Sequence, residues 1–196
     1  MPQWEGKTSM LPSRNCLGWL MLVLVISSPL FVIFLYRDAE QSILQTKGMM
    51  KVTSVAIGHF RTEYNTFPIS SKSEDKDVSL RSGGPLLAAL MGNDKSLNPR
   101  GIQFVDLPFA KPERSGLIQE ADQWRLVDRW GEMFYISLDT NYDNRLVNPA
   151  QQVPSKWFPW VKVPLPPAIL NASSAIYSSG PDRDPTTWAD NITSWR

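Results

Sequence analysis

Between positions 178 and 191 the chain gathers six side chains that end in oxygen donors: Ser178, Ser179, Asp182, Asp184, Asp190 and Asn191. Donors of this kind suit calcium, a hard cation that takes roughly six to eight oxygens. Asp182, Asp184 and Asp190 also repel one another unless a cation or a basic side chain neutralises them, and Arg183 and Arg196 are the basic groups nearby. The alternative reading of the same residues is a solvated acidic loop closed by Asp and Asn side chains.

A second oxygen-rich run places Asp139, Asn141 and Asp143 at the first, third and fifth positions of an EF-hand loop. Its sixth position is Asn144 in place of glycine, and its twelfth is Ala150 in place of the bidentate glutamate. The run therefore predicts a β-turn held by Asp and Asn side chains. Other chemistry has little material to work with. A single cysteine, Cys16, and a single histidine, His59, exclude an internal disulfide framework and any zinc site built from Cys and His. His59 and Glu63 share one helix face and read as a surface pair. No HExxH, Gly-x-Ser-x-Gly, P-loop or dinucleotide fingerprint occurs, so no enzyme is expected. Twenty Lys and Arg against 19 Asp and Glu give a formal charge of +1, a balance with no basic field to draw in nucleic acid.

The elements that must position these residues begin with residues 17–36, an uncharged run that spans roughly 30 Å as a helix, the thickness of a bilayer core. Lys7 and Arg14 precede it, no small-x-small cleavage site follows it, and Trp19 and Tyr36 stand at its ends where amphipathic rings favour the interface. The run predicts an uncleaved signal anchor with the short tail, residues 1–16, on the cytoplasmic side. Pro29 predicts a kink in it. The remaining residues, 37–196, carry 18 basic and 18 acidic side chains and no cysteine.

From 37 to 66 the periodicity is helical. Ile43, Met50, Ile57 and Tyr64 recur every seven residues, with Thr46, Thr53 and Phe60 in the alternate half-turns, which predicts one narrow apolar stripe. The helix should continue the membrane span and stop at Asn65-Thr66-Phe67-Pro68. Residues 70–84 read as a polar surface loop and Pro85–Met91 as a short helix closed by Gly92-Asn93. Gly101–Val105, Trp124–Val127, Met133–Leu138 and Ala175–Ser178 read as short strands of an antiparallel sheet, so the class is α+β. Trp124, Trp130, Trp188 and Trp195 are expected in the core. The proline-rich stretch from Val153 to Pro167 reads as a stiff connection offering Trp157 and Trp160 to a partner.

Three segments resemble the major pseudopilin of type II secretion systems and its type IV pilin-like relatives. One is the long apolar N-terminal helix closed by Tyr64-Asn65-Thr66-Phe67-Pro68. Another is Leu126-Val127-Asp128-Arg129-Trp130-Gly131-Glu132-Met133-Phe134-Tyr135, similar to the family's Asp-Pro-Trp-Gly-x-Pro-Tyr at Asp128, Trp130, Gly131 and Tyr135. The last is Ile176-Tyr177-Ser178-Ser179-Gly180-Pro181-Asp182 with Asp190-Asn191-Ile192-Thr193-Ser194-Trp195, similar to the family's Ser-x-Gly-x-Asp-Gly and its terminal Asp-Asp-Ile-x-Ser/Asn-Trp. The family's Gly-Phe-Thr-Leu-x-Glu before the span is replaced here by Asn15-Cys16-Leu17-Gly18-Trp19.

The resemblance implies a pilin-like fold, with residues 67–196 as a globular domain on a small antiparallel sheet. It implies a structural or assembly component of a type II secretion or pilus-like machine in a bacterial inner membrane, with the C-terminal domain in the periplasm. Its partners would be other pseudopilin subunits or membrane components of the machine, together with the lipid bilayer. Calcium would be held by Ser178, Ser179, Asp182, Asp184, Asp190 and Asn191. The missing peptidase motif supports an alternative, a membrane-anchored envelope binding module that keeps the fold without polymerising.

Overall fold

The computed structural model describes residues 14–70, 76–121, 123–151 and 166–195, with side chains described from Arg37 onward apart from Asp38, Ala39 and Gln151. The proline-rich connection with Trp157 and Trp160 lies largely outside these residues. The chain divides into two compact units, Met1–Gln41 and Ser42–Arg196. In the first, the described backbone belongs to helix α1 (Arg14–Tyr64). Among the described residues no helix is long and apolar enough to cross a membrane, and the side chains of the expected span, residues 17–36, lie outside that set.

The second unit is α+β. Its main sheet has the order β1-β4-β7-β8, built from β1 (Val78–Arg81), β4 (Tyr135–Leu138), β7 (Ser174–Ser178) and β8 (Ile192–Thr193), with every pairing antiparallel. A hairpin of β2 (Gly116–Glu120) and β3 (Gln123–Val127) and a short ribbon of β5 (Leu146–Val147) and β6 (Ile169–Leu170) complete the strands described. Alternation along the strands sends Leu80, Ile136, Leu138 and Ile176 to one sheet face. There they join Met50, Ile57 and Phe60 of α1 and Leu86, Leu87 and Leu90 of α2 (Gly84–Leu90) in a single core. Full burial of each large apolar side chain contributes about 1.5–3 kcal/mol.

The seven-residue stripe of α1 accounts for this packing. Met50, Thr46, Thr53, Ile57 and Phe60 are all buried, whereas Ile43 is exposed. Thr53 satisfies its buried hydroxyl by donating to the Met49 carbonyl at 2.9 Å. The helix ends where expected: Asn65 turns to φ 54 and its N–H bonds the Arg61 carbonyl at 2.8 Å. Helix α2 closes at Gly92 (φ 81), where a Cβ would lie 2.7 Å from the Gly101 carbonyl oxygen.

Two expectations about strands change. The stretch read as a loop, 70–84, contains β1, because Val78–Arg81 pairs residue by residue with Leu138–Tyr135. Gly101–Val105 is irregular: Phe104 N–H bonds the Leu90 carbonyl and Ile102 is held by Asn98, so its backbone groups are satisfied by α2 and a loop side chain. Ser82, fully buried, ties three elements together by donating to Leu126 O at 2.6 Å and accepting from Phe134 N at 2.8 Å. Trp124 and Trp130 pack against the main core and Trp195 against a smaller cluster of Leu146, Leu170 and Ala175. Trp188 stacks at a tilt on Tyr177.

Candidate assembly surface and the C-terminal oxygen-rich loop

The loop from Ser178 to Asn191 grows out of the end of β7 and returns as β8. Gly180 (φ 73) makes the first bend, and a Cβ there would stand 2.5 Å from the Asp190 carbonyl oxygen, so the two ends of the loop touch at a position that only glycine fits. Ser178 is fully buried, donates its hydroxyl to Asp128 Oδ2 at 2.6 Å and accepts from Gly180 N at 3.1 Å. Asp128, also buried, accepts from Trp130 N and Glu132 N, each at 2.9 Å, through its other oxygen. Burial pushes the Asp128 carboxyl above its ordinary value of 3.8, and the bonds from Ser178, Glu132 and Trp130 pull the other way. The Trp-Gly turn and the C-terminal loop are therefore joined through one buried carboxyl.

The other oxygen donors divide into occupied and unoccupied sets. Asp182 accepts from Asp184 N at 2.8 Å and from the Thr187 hydroxyl. Asp184 accepts from the Thr186 hydroxyl and N–H, which hold its carboxyl below the usual range, and it is exposed. Asp190 Oδ2 accepts from Asp182 N at a long 3.3 Å, and Asn191 donates to Pro185 O at 3.1 Å. Ser179 Oγ and Asn191 Oδ1 are buried without a partner among the described residues. The register Ser178↔Ile192 makes Ser179 and Asn191 the next pair along the two strands, so both orphaned oxygens lie at the root of the loop. Buried polar atoms without partners are costly, and a hydroxyl and an amide oxygen are donor types that a hard cation or a water molecule takes. Among the described residues no three carboxylate, imidazole or thiol groups converge as a metal site.

The 139–144 run is a side-chain-held turn, as its spacing predicts. Asp139, fully buried, accepts from Asp143 N at 3.1 Å and Asn144 N at 2.9 Å. Asp77, which sequence reading passes over, lies within electrostatic reach of it. Burial, then Asp139 and Asp143, raise the Asp77 carboxyl, and no local pattern links residues so far apart in the chain. Glu63 pairs with Arg100, not with His59.

A second feature missed by periodicity lies on α1. Leu44 is 64% exposed, and Val52 and Val55 are exposed as well. At roughly 100° per residue, Leu44, Gly48, Val52 and Val55 share one line down the helix, opposite Met50, Thr53, Ile57 and Phe60. No atom lies within 4 Å of a Cβ built on Gly48. The signal was present as a recurrence at i, i+8 and i+11 on the face opposite the stronger stripe. No protein-family model matches the chain, and neither a curated protein nor a solved structure is found to resemble it.

Proposed function

We propose that the chain is a pseudopilin-like structural or assembly component of a type II secretion or pilus-like machine, anchored in the inner membrane through residues 17–36 with its α+β domain in the periplasm. The observation that carries this reading is the uncovered apolar line Leu44-Gly48-Val52-Val55 on a helix whose opposite face already fills the core. Three exposed aliphatic side chains beside Gly48, among the polar Gln41, Lys51 and His59, offer a contact for a second helix, and a neighbouring subunit's helix is one of matching chemistry, with Gly48 allowing close approach. The link from Asp128 to Ser178 supports it too, since it unites the two C-terminal segments on which the resemblance rests. Calcium is proposed for this loop through Ser179 and Asn191, whose oxygens lack partners among the described residues, with Asp190, whose Oδ2 accepts one long hydrogen bond there, as the carboxylate next in sequence. When bound, it would supply further positive charge to a loop that carries three aspartates against one arginine, Arg183.

The absent Gly-Phe-Thr-Leu-x-Glu favours the rival, an anchored envelope module that does not assemble. Cysteine cross-linking of the full chain in membranes separates the two. With Cys16→Ser as background, Leu44→Cys and Val55→Cys should give cross-linked pairs, and Leu44→Glu with Val52→Glu should abolish subunit co-purification at unchanged melting temperature. Monomers throughout would reject assembly through this face and leave the envelope module.

A further inference from the structure

Strand β1 is an outer member of the main sheet, and one of its two edges has no neighbour among the described strands. The polarity of that edge follows from the register. Ser82 N–H bonds Phe134 O at 2.9 Å, so Ser82 faces β4, and by alternation Leu80 and Val78 face it as well. The main-chain N–H and C=O of Ser79 and the N–H of Arg81 therefore point to the open edge, while the Arg81 carbonyl accepts from Gly83 N at 2.8 Å. Both faces of the sheet are unfinished there. On the core face Ile136, Leu138 and Ile176 of the inner strands are at most 1% exposed, but Val78 and Leu80, which point the same way, are only half-buried. On the outer face Asp77, Ser79 and Arg81 alternate with them. The Arg81 guanidinium is half-exposed, held 3.8 Å from the Tyr135 ring centroid with Glu132 at a long 3.5 Å. Asp77 Oδ1 is buried without a hydrogen-bond partner among the described residues, and burial, then Asp139 and Asp143, raise its carboxyl. The edge thus carries a cation and a poorly compensated acid, two residues to either side of Ser79.

We infer that this edge receives an extended segment of a partner protein as an added antiparallel strand, one that reads acidic, apolar, hydroxyl, apolar, basic from its N-terminal side. Each position answers one on β1. The acidic residue stands opposite Arg81, the basic residue opposite Asp77, and the hydroxyl residue exchanges main-chain bonds with Ser79. The two apolar side chains fall on the core face, where they cover Leu80 and Val78. Edge strands with free main-chain groups take up extended segments in this way, the ladder supplying affinity and the alternate side chains specificity. Opposite charges directly across an antiparallel pair attract and like charges repel, so the order of the two charges fixes the direction of the incoming strand. A parallel strand would carry them reversed. This edge is separate from the Leu44-Gly48-Val52-Val55 line of α1, and strand addition here does not rest on assembly through that face.

The test titrates the full chain in detergent into fluorescein-labelled Ser-Glu-Val-Thr-Val-Lys-Ser and into the same peptide with Glu and Lys exchanged, read by fluorescence anisotropy. The first peptide should bind about tenfold tighter than the second, and Asp77→Lys with Arg81→Glu should reverse that preference. Ser79→Pro removes the central donor but spares the β1–β4 ladder, to which the Ser79 N–H does not belong, so it should weaken binding about tenfold at unchanged melting temperature. The chain carrying Leu44→Glu and Val52→Glu should bind the peptide as wild type does, which separates this edge from the helix face. Equal affinity for the two peptides, preference of wild type for the exchanged peptide, indifference to Ser79→Pro, or no saturable binding at millimolar peptide would each overturn the assignment. Chain dimers that persist with Leu44→Glu and Val52→Glu and that Ser79→Pro dissolves would overturn it in favour of a second copy as occupant.

Discussion

A carboxyl buried beside a tryptophan-glycine turn is held by three donors: the Ser178 hydroxyl, Trp130 N–H and Glu132 N–H all reach Asp128. Asp128→Ala orphans all of them and should cost about 3 kcal/mol in denaturant unfolding, whereas Asp128→Asn keeps an acceptor for both backbone groups and should cost less than half as much. The pH response has a definite sign. Burial raises this carboxyl in the folded chain above its ordinary 3.8, so the unfolded chain loses its proton first as pH rises. The associated stability is fully present below that ordinary value and is lost on passing upward through the folded value. Wild type should therefore lose more stability than Asp128→Asn between pH 3.5 and 7, and parallel curves would contradict it. Asp190 makes the complementary case: its one hydrogen bond among the described residues is long, so Asp190→Ala should change little in chelator. With calcium at about a hundred times its dissociation constant the same substitution should forfeit up to about 2.7 kcal/mol. Thermal melts with and without the ion read the difference, and an equal loss in both would remove the calcium role.

The two helices are joined at their ends by an amide. Asn98 accepts from the Tyr64 hydroxyl at 2.6 Å and from Ile102 N at 3.0 Å, and donates to Ala89 O at 2.8 Å and Ile102 O at 2.7 Å. Its four bonds replace the regular pairing that the 93–104 connection lacks. Asn98→Ala should cost about 3–4 kcal/mol and Tyr64→Phe about 1 kcal/mol by chemical denaturation, and the reverse order would refute the assignment. Elements of this kind also mark the limit of what periodicity reveals. The buried stripe of α1 is readable because one helix face repeats a local spacing, and the Asn65 stop is readable because αL tolerance is a property of that residue. Strand β1 hides because its outward residues, Ser79 and Arg81, are polar and used by partners on β4: Ser79 bonds Ser137 and Arg81 stacks on Tyr135. Gly101–Val105 looks like a strand by composition, yet its hydrogen bonds go to a helix end.

At the scale of the molecule, an α+β unit with an antiparallel sheet follows from runs of apolar alternation downstream of a helical stripe. The candidate site was legible in part. The oxygen donors of the C-terminal loop are visible as composition, but that Ser178 and Asp128 are partners across 50 residues of sequence is a property of the folded sheet. Sheet order also imposes a timetable on synthesis. Strand β1 emerges early, but its neighbour β4 and the next strand, β7, follow much later, with β7 roughly a hundred residues behind. At ribosomal rates of about 5–20 residues per second, the apolar faces of α1 and α2 wait on the order of 5–20 s for the strands that cover them. A nascent chain of this design is a natural client for holding chaperones until Ile176 arrives.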